Sequence, residues 1–129
     1  MILIENYKKY LQTIKADKKA KIDQFVTLQC DDDATLSRIE LNIIEIFEQM
    51  FGISEKKSIA QKENALNALK ETYLGFFDKI PNNWIIQLEQ CQKFGDEEGA
   101  FKETLKINQA NAMKKAFVKM LEEATHETR

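Results

Sequence analysis

The chain has 129 residues, of which 43% are hydrophobic and 31% charged, with a formal net charge of −2. This balance excludes a disordered or fibrous chain, and without a basic excess a general nucleic-acid binder is not expected. Only four glycines and one proline occur, too few for the frequent turns of an all-β domain. We therefore expect a single all-α domain over residues 1–129.

The start of the chain and its cysteines favour the cytoplasm. The apolar run Met1–Ile4 turns polar at Glu5, so no signal peptide is predicted. No apolar run approaches the roughly 18–20 residues of a membrane span. Cys30 and Cys91 are the only cysteines, and their spacing fits neither a disulfide framework nor a metal site. The sequence predicts a cytoplasmic protein without membrane contact.

Helix 1 is predicted over about residues 3–29 from the helical spacing of its apolar side chains. Lys18 and Lys21 interrupt this apolar stripe in its middle. The stripe consists of Ile4, Tyr7, Leu11, Ile14, Phe25 and Leu28, with Tyr10 and Ile22 on its flank.

Helix 2 is predicted to begin after the acidic run Asp31–Asp33, with Asp33 as its N-cap, and to end at Gly52. Aspartates suit the positive end of a helix dipole, and glycine is common just past a helix C-terminus. Apolar residues cover most of this helix. We therefore expect it to lie at the centre of the fold or to be shared with a second chain.

Three further helices follow in the second half of the chain. Ser54 is predicted to cap helix 3, which runs to about Lys79 and is ended by Pro81. A short helix 4 then stops near Gly95. Helix 5 follows from Asp96 to about Ala124. Short connections between long helices predict an up-and-down bundle of four long helices and one short helix.

Charge is distributed unevenly between the first two helices. Helix 1 is rich in lysine, whereas helix 2 is rich in aspartate and glutamate. We interpret this difference as pairing between neighbouring antiparallel helices. A weaker interpretation is nucleic-acid binding by one lysine-rich face, formed by Lys8, Lys15, Lys18 and Lys19.

Polar side chains on the apolar stripes form a candidate polar layer: Lys18, Lys21, Glu40, Lys62 and Gln109. A hairpin of helices 1 and 2 closed around residues 29–33 places Lys21 opposite Glu40, so we hypothesise an ion pair there. The layer has three interpretations. Paired charges can fix the helix register, lysine ammonium groups can reach water, or the layer can line a site for a small polar or anionic ligand.

Residue patterns for catalysis and metal binding are incomplete. Glu123 and His126 form one Glu-x-x-His motif, but a two-metal bundle site needs two, and His126 is the only histidine. The run beginning at Asp31 lacks the glycine and glutamate of a calcium loop. Cys30 and Cys91 have no neighbouring histidine to activate them. We predict no catalytic residue, metal site or cofactor.

The leading functional hypothesis is a non-catalytic interaction or regulatory protein that acts through apolar helix faces and forms a homodimer. Its interface is predicted on helices 2 and 5, at Leu41, Ile44, Phe51, Ile107, Val118 and Leu121. The alternative is a helical bundle that binds a small ligand or a metal in its interior. That site would lie at the level of Lys21, Glu40 and Lys62 or at paired Glu123/His126 motifs. Neither nucleic acid nor a membrane is a predicted partner.

Overall fold

A computed structural model describes residues 2–127, without the side chains of His126 and Glu127. Within this range the chain forms five helices and no strand. The prediction of an all-α up-and-down bundle is confirmed. The helices are α1 (Ile2–Thr27), α2 (Asp31–Ala60), α3 (Ala65–Lys79), α4 (Asn82–Phe94) and α5 (Glu97–Glu127).

The turn between α1 and α2 is shorter than predicted. The Cys30 amide donates to the Phe25 carbonyl at 2.8 Å and the Gln29 amide to the Val26 carbonyl at 3.1 Å, which together form a Schellman motif. Gln29 occupies the left-handed position of this motif, with φ of 59°. Helix α2 then begins directly, with Cys30 as N-cap. The prediction that Asp33 is the N-cap was wrong, because all three aspartates lie in the first turn of α2.

Helix α2 continues past Gly52 to Ala60, so the predicted stop at Gly52 was wrong. Ser54, predicted to cap helix 3, lies inside α2, and its Oγ donates to the Met50 carbonyl at 2.8 Å. Phe51, Ser54 and Ser58 are all buried, so one inward-facing row runs to the end of the helix. The free energy gained by burying these side chains exceeds the roughly 1 kcal/mol by which a glycine inside a helix destabilises it.

Helices α3 and α4 form one bent segment. Both Ile80 and Pro81, which join them, have helical backbone angles. Proline has no amide hydrogen to donate, so it breaks the helical ladder and bends the segment at this point. With α3 and α4 joined, the bundle has four long segments. The predicted stop at Gly95 is confirmed, with φ of 72°.

Aromatic side chains fill the centre of the bundle. Helix α2 packs against α1, α3 and α5, so it lies at the centre of the bundle together with α5, which contacts all four other helices. This position explains why apolar residues cover so much of its circumference. The largest fully buried side chains are those of Tyr7, Phe47, Phe51, Tyr73 and Phe117.

Candidate functional site

Three ion pairs connect α1 with α2 along the length of their hairpin. Lys8 lies 2.6 Å from Glu55, Lys15 lies 2.9 Å from Glu48, and a third pair lies nearer the turn. Hydrogen bonding to Glu48 raises the pKa of Lys15. The interpretation of the uneven charge as pairing between neighbouring helices is confirmed. The same pairs occupy most of the lysines on which the nucleic-acid interpretation depended.

The third pair is not the one we hypothesised. Glu40 pairs with Lys18 at 3.3 Å, whereas Lys21 is exposed. Because α2 begins at Asp31, the turn is centred on Gln29, and Lys18 and Glu40 are equidistant from it in sequence. The hypothesis assumed a later start of helix 2, which displaced the register by about one helical turn.

Lys62 does not belong to the polar layer. It is exposed in the connection 61–64, at the opposite end of α2 from Glu40. Its predicted position depended on helix 2 ending at Gly52, so that placement was wrong.

Lys18, Lys21 and Gln109 do come together, in a cavity between α1 and α5. Its volume is ≈ 220 Å³, and its apolar walls are Ile14, Ile44 and Ala112. Tyr10 and Asp17 complete the lining. We call this cavity the α1–α5 cleft. A second cavity of ≈ 340 Å³ also contains Lys18 and Lys21, together with Glu40 from α2, so the two spaces adjoin.

The predicted interface residues fall into two groups. Ile44, Phe51 and Leu121 are buried in the core, so assigning them to a free surface was wrong. The physical reason for Ile44 and Phe51 is the central position of α2. The others are only partly buried, and their role at an interface stays a prediction: Leu41, Ile107 and Val118.

Helix α4 presents an apolar surface that the sequence-based interface did not include. None of its 13 residues is buried, although Trp84 and Leu88 are partly covered. Its main helix contact is with α5. The exposed fractions of Ile85, Ile86 and Phe94 are 43%, 53% and 74%. Helical spacing places Ile86 on the side opposite Trp84 and Leu88, but it does not show whether another helix covers that side.

The environment of Cys91 does not activate its thiol. Its Sγ lies 3.8 Å from the Asp96 carboxylate. Burial and this carboxylate raise the pKa of Cys91, whereas a nucleophilic cysteine needs a lowered pKa.

The described residues do not form a metal site. Among the described residues, no three His, Cys, Asp or Glu side chains are grouped closely enough to hold a metal ion. The Glu123/His126 motif of the metal-binding alternative cannot be placed, because the side chain of His126 lies outside the described residues.

Comparison of the chain with protein-family models, curated proteins and solved structures found no match in any of the three. Within residues 2–127, no helix combines the length and the apolar character needed to cross a membrane.

Proposed function

We propose that this protein is a non-catalytic helical interaction protein that forms a homodimer through α4. The observation that carries the proposal is the exposure of α4, which has apolar residues around its circumference and no buried residue. A helix that is apolar on all sides is normally covered on all sides. In this chain α5 covers the side of Trp84 and Leu88, which leaves Ile86 and Phe94 for a partner.

The polar residues of α4 also support an interface. Glu89 and Lys93 are its only charged residues, although 31% of the whole chain is charged. Loss of charged residues is what distinguishes the centre of a protein interface from other surface. The remaining exposed positions carry amides, which are cheaper to desolvate than charges: Asn82, Asn83, Gln87, Gln90 and Gln92.

A second copy of the same chain fits this surface. Ile86 and Phe94 are equidistant in sequence from Gln90. In an antiparallel pair with its two-fold axis at Gln90, Ile86 of each copy therefore faces Phe94 of the other. Glu89 of one copy then lies about 3 Å along the axis from Lys93 of the other, on the same flank. Apolar contact supplies the affinity, while the charge pairs select the antiparallel register.

The test is the molar mass in solution, measured by light scattering after size-exclusion chromatography. We expect wild type to have twice the 15.0 kDa of one chain. Ile86→Glu places a charge at the centre of the interface and should give a monomer with unchanged helix content. The matched control is Ile59→Glu, because Ile59 is 67% exposed and lies on α2, which makes no substantial contact with α4.

A monomeric wild type would refute the homodimer. An Ile86→Glu variant that stays dimeric, or an Ile59→Glu variant that dissociates equally, would refute the placement on α4.

We also propose the cytoplasm as the compartment. The two cysteines are free thiols, which is consistent with a reducing environment.

A further inference from the structure

The α1–α5 cleft collects hydrogen-bond donors that have few partners within the protein. Among residues 2–127, the side chains of Tyr10, Lys21 and Gln109 make no hydrogen bond or ion pair. Lys18 has one charged partner, Glu40, although an ammonium group carries three donors. Its side chain is only 14% exposed, so much of its surroundings is protein rather than water. The cleft therefore offers several donors to one acceptor-rich group.

The lining of the cleft contains one lysine, Lys21, that forms no ion pair with a described carboxylate. Lys18 and Lys21 contribute two positive charges and Asp17 one negative charge, and Glu40 beside Lys18 brings the sum of these charges to zero. Glu40 lies in the adjoining cavity and pairs with Lys18 from that side. Because Lys21 makes no ion pair with a described residue, its ammonium group is available to a carboxylate bound in the cleft.

The walls of the cleft favour a ligand with a hydrocarbon part. Ile14 on α1 and Ala112 on α5 both line it, together with the fully buried Ile44. The volume of ≈ 220 Å³ corresponds to roughly seven water molecules at about 30 Å³ each. This space accommodates a compact organic acid rather than a nucleotide or a long lipid chain.

We infer that the α1–α5 cleft binds a small monocarboxylate with a hydrocarbon body. The carboxylate accepts hydrogen bonds from Lys18, Lys21 and Gln109, and the hydrocarbon body packs on Ile14 and Ala112. Tyr10 lies beside the same space and supplies a further donor. This site is separate from the surface of α4 and does not depend on dimer formation.

The experiment is an NMR titration of the isotope-labelled wild-type protein with hexanoate. We expect saturable shifts of the amides of α1 and α5 around the cleft, with a Kd of about 1 mM or lower. The matched ligand is 1-hexanol, which has the same hydrocarbon chain without the charge. It should bind at least about tenfold more weakly, because it cannot form the charge-assisted hydrogen bonds of the carboxylate.

Variants distinguish this site from general attraction to lysine. Lys21→Met removes a donor that has no partner among the described residues, so we expect the fold to persist and the affinity for hexanoate to fall about tenfold. Lys19→Met is the matched control, since Lys19 is exposed on the same helix and does not line the cleft. Non-saturable shifts, equal binding of 1-hexanol, or equal effects of the two variants would overturn the inference.

Discussion

The phenol oxygens of Tyr7 and Tyr73 lie 2.6 Å apart at the centre of the bundle, where both side chains are fully buried. The Tyr7 oxygen also lies 3.5 Å from the carbonyl oxygen of Met113. Both hydroxyl protons are used if Tyr73 donates to Tyr7 and Tyr7 donates to Met113. This chain of bonds joins α1, α3 and α5 within an otherwise apolar core.

Phenylalanine substitutions at the two tyrosines should have unequal effects on the free energy of unfolding. Tyr7→Phe leaves the buried Tyr73 hydroxyl without its partner and should cost about 1–3 kcal/mol. Tyr73→Phe should cost less, because the Tyr7 hydroxyl keeps the Met113 carbonyl. The double variant removes both hydroxyls, so its cost should be smaller than the sum of the single costs. Urea unfolding followed by circular dichroism measures all three, and strictly additive costs would contradict the proposed bond chain.

Stability should fall at alkaline pH because of the same pair. Burial raises the pKa of Tyr7 and of Tyr73 above the ordinary value of 10.0. Above that value the unfolded chain loses these two protons while the folded chain keeps them. The pair therefore has no effect on the pH dependence of stability below about pH 9, and stability is lost as pH rises above about 10.

The expected slope from the pair is about 1.4 kcal/mol per pH unit for each tyrosine. Urea unfolding of wild type and of the Tyr7→Phe/Tyr73→Phe variant at several alkaline pH values isolates this contribution, since the lysines titrate in both. Identical slopes for the two proteins would contradict the burial of the pair.

Alanine substitutions at Gly52 and Gly95 should change stability in opposite directions. Gly52 lies inside α2, and a Cβ atom added there has no neighbour within 4 Å. Gly52→Ala should stabilise the protein by about 0.5–1 kcal/mol. Gly95 has a positive φ of 72°, so Gly95→Ala should destabilise it by about 1 kcal/mol. Thermal unfolding measures both, and destabilisation by Gly52→Ala would mean that α2 ends where the sequence first indicated.

Glycine at position 29 should stabilise the turn between α1 and α2. Gln29 has a φ of 59°, a conformation that costs a residue with a Cβ atom about 1 kcal/mol. Gln29→Gly should therefore raise the free energy of unfolding by about 0.5–1 kcal/mol. Gln29→Ala keeps the Cβ atom and serves as the control. A gain of the same size from alanine would show that the backbone conformation is not the cause.

The general fold was predictable because helical periodicity is a strong signal. Long apolar stripes and few turn residues predicted the bundle, and Pro81 and Gly95 marked real boundaries. The predicted helix end at Gly52 was wrong because the sequence shows the glycine but not the tertiary contacts that stabilise α2 beyond it. Phe51, Ser54 and Ser58 keep a heptad-like spacing across Gly52. Serine is a polar residue, however, so the sequence alone does not identify Ser54 and Ser58 as buried positions.

The candidate sites depended on register, which sequence specified less well. Because α2 begins earlier than predicted, Glu40 forms its ion pair with Lys18 and not with Lys21. Because α2 ends at Ala60 and not at Gly52, Lys62 lies in the connection 61–64 and outside the polar layer. Lys18, Lys21 and Gln109 line the same cleft. Their proximity depends on the packing of α1 against α5, so the errors in the predicted bounds of α2 do not affect it. The exposure of α4 depends on which helices cover it, and periodicity within one helix cannot supply that information.

Disulfide cross-linking tests the pairing of α4 with itself most directly. In a protein carrying Cys30→Ser and Cys91→Ser, the further change Gln90→Cys places one thiol on the proposed two-fold axis of the dimer. Because a disulfide needs Cα atoms within about 7 Å, we expect mild oxidation to give a covalent dimer. Gln87→Cys is the control, since in the same register its two copies lie about 9 Å apart along the helix axis. A Gln90→Cys protein that remains monomeric, or that cross-links no faster than the Gln87→Cys protein, would contradict a homodimer formed through α4.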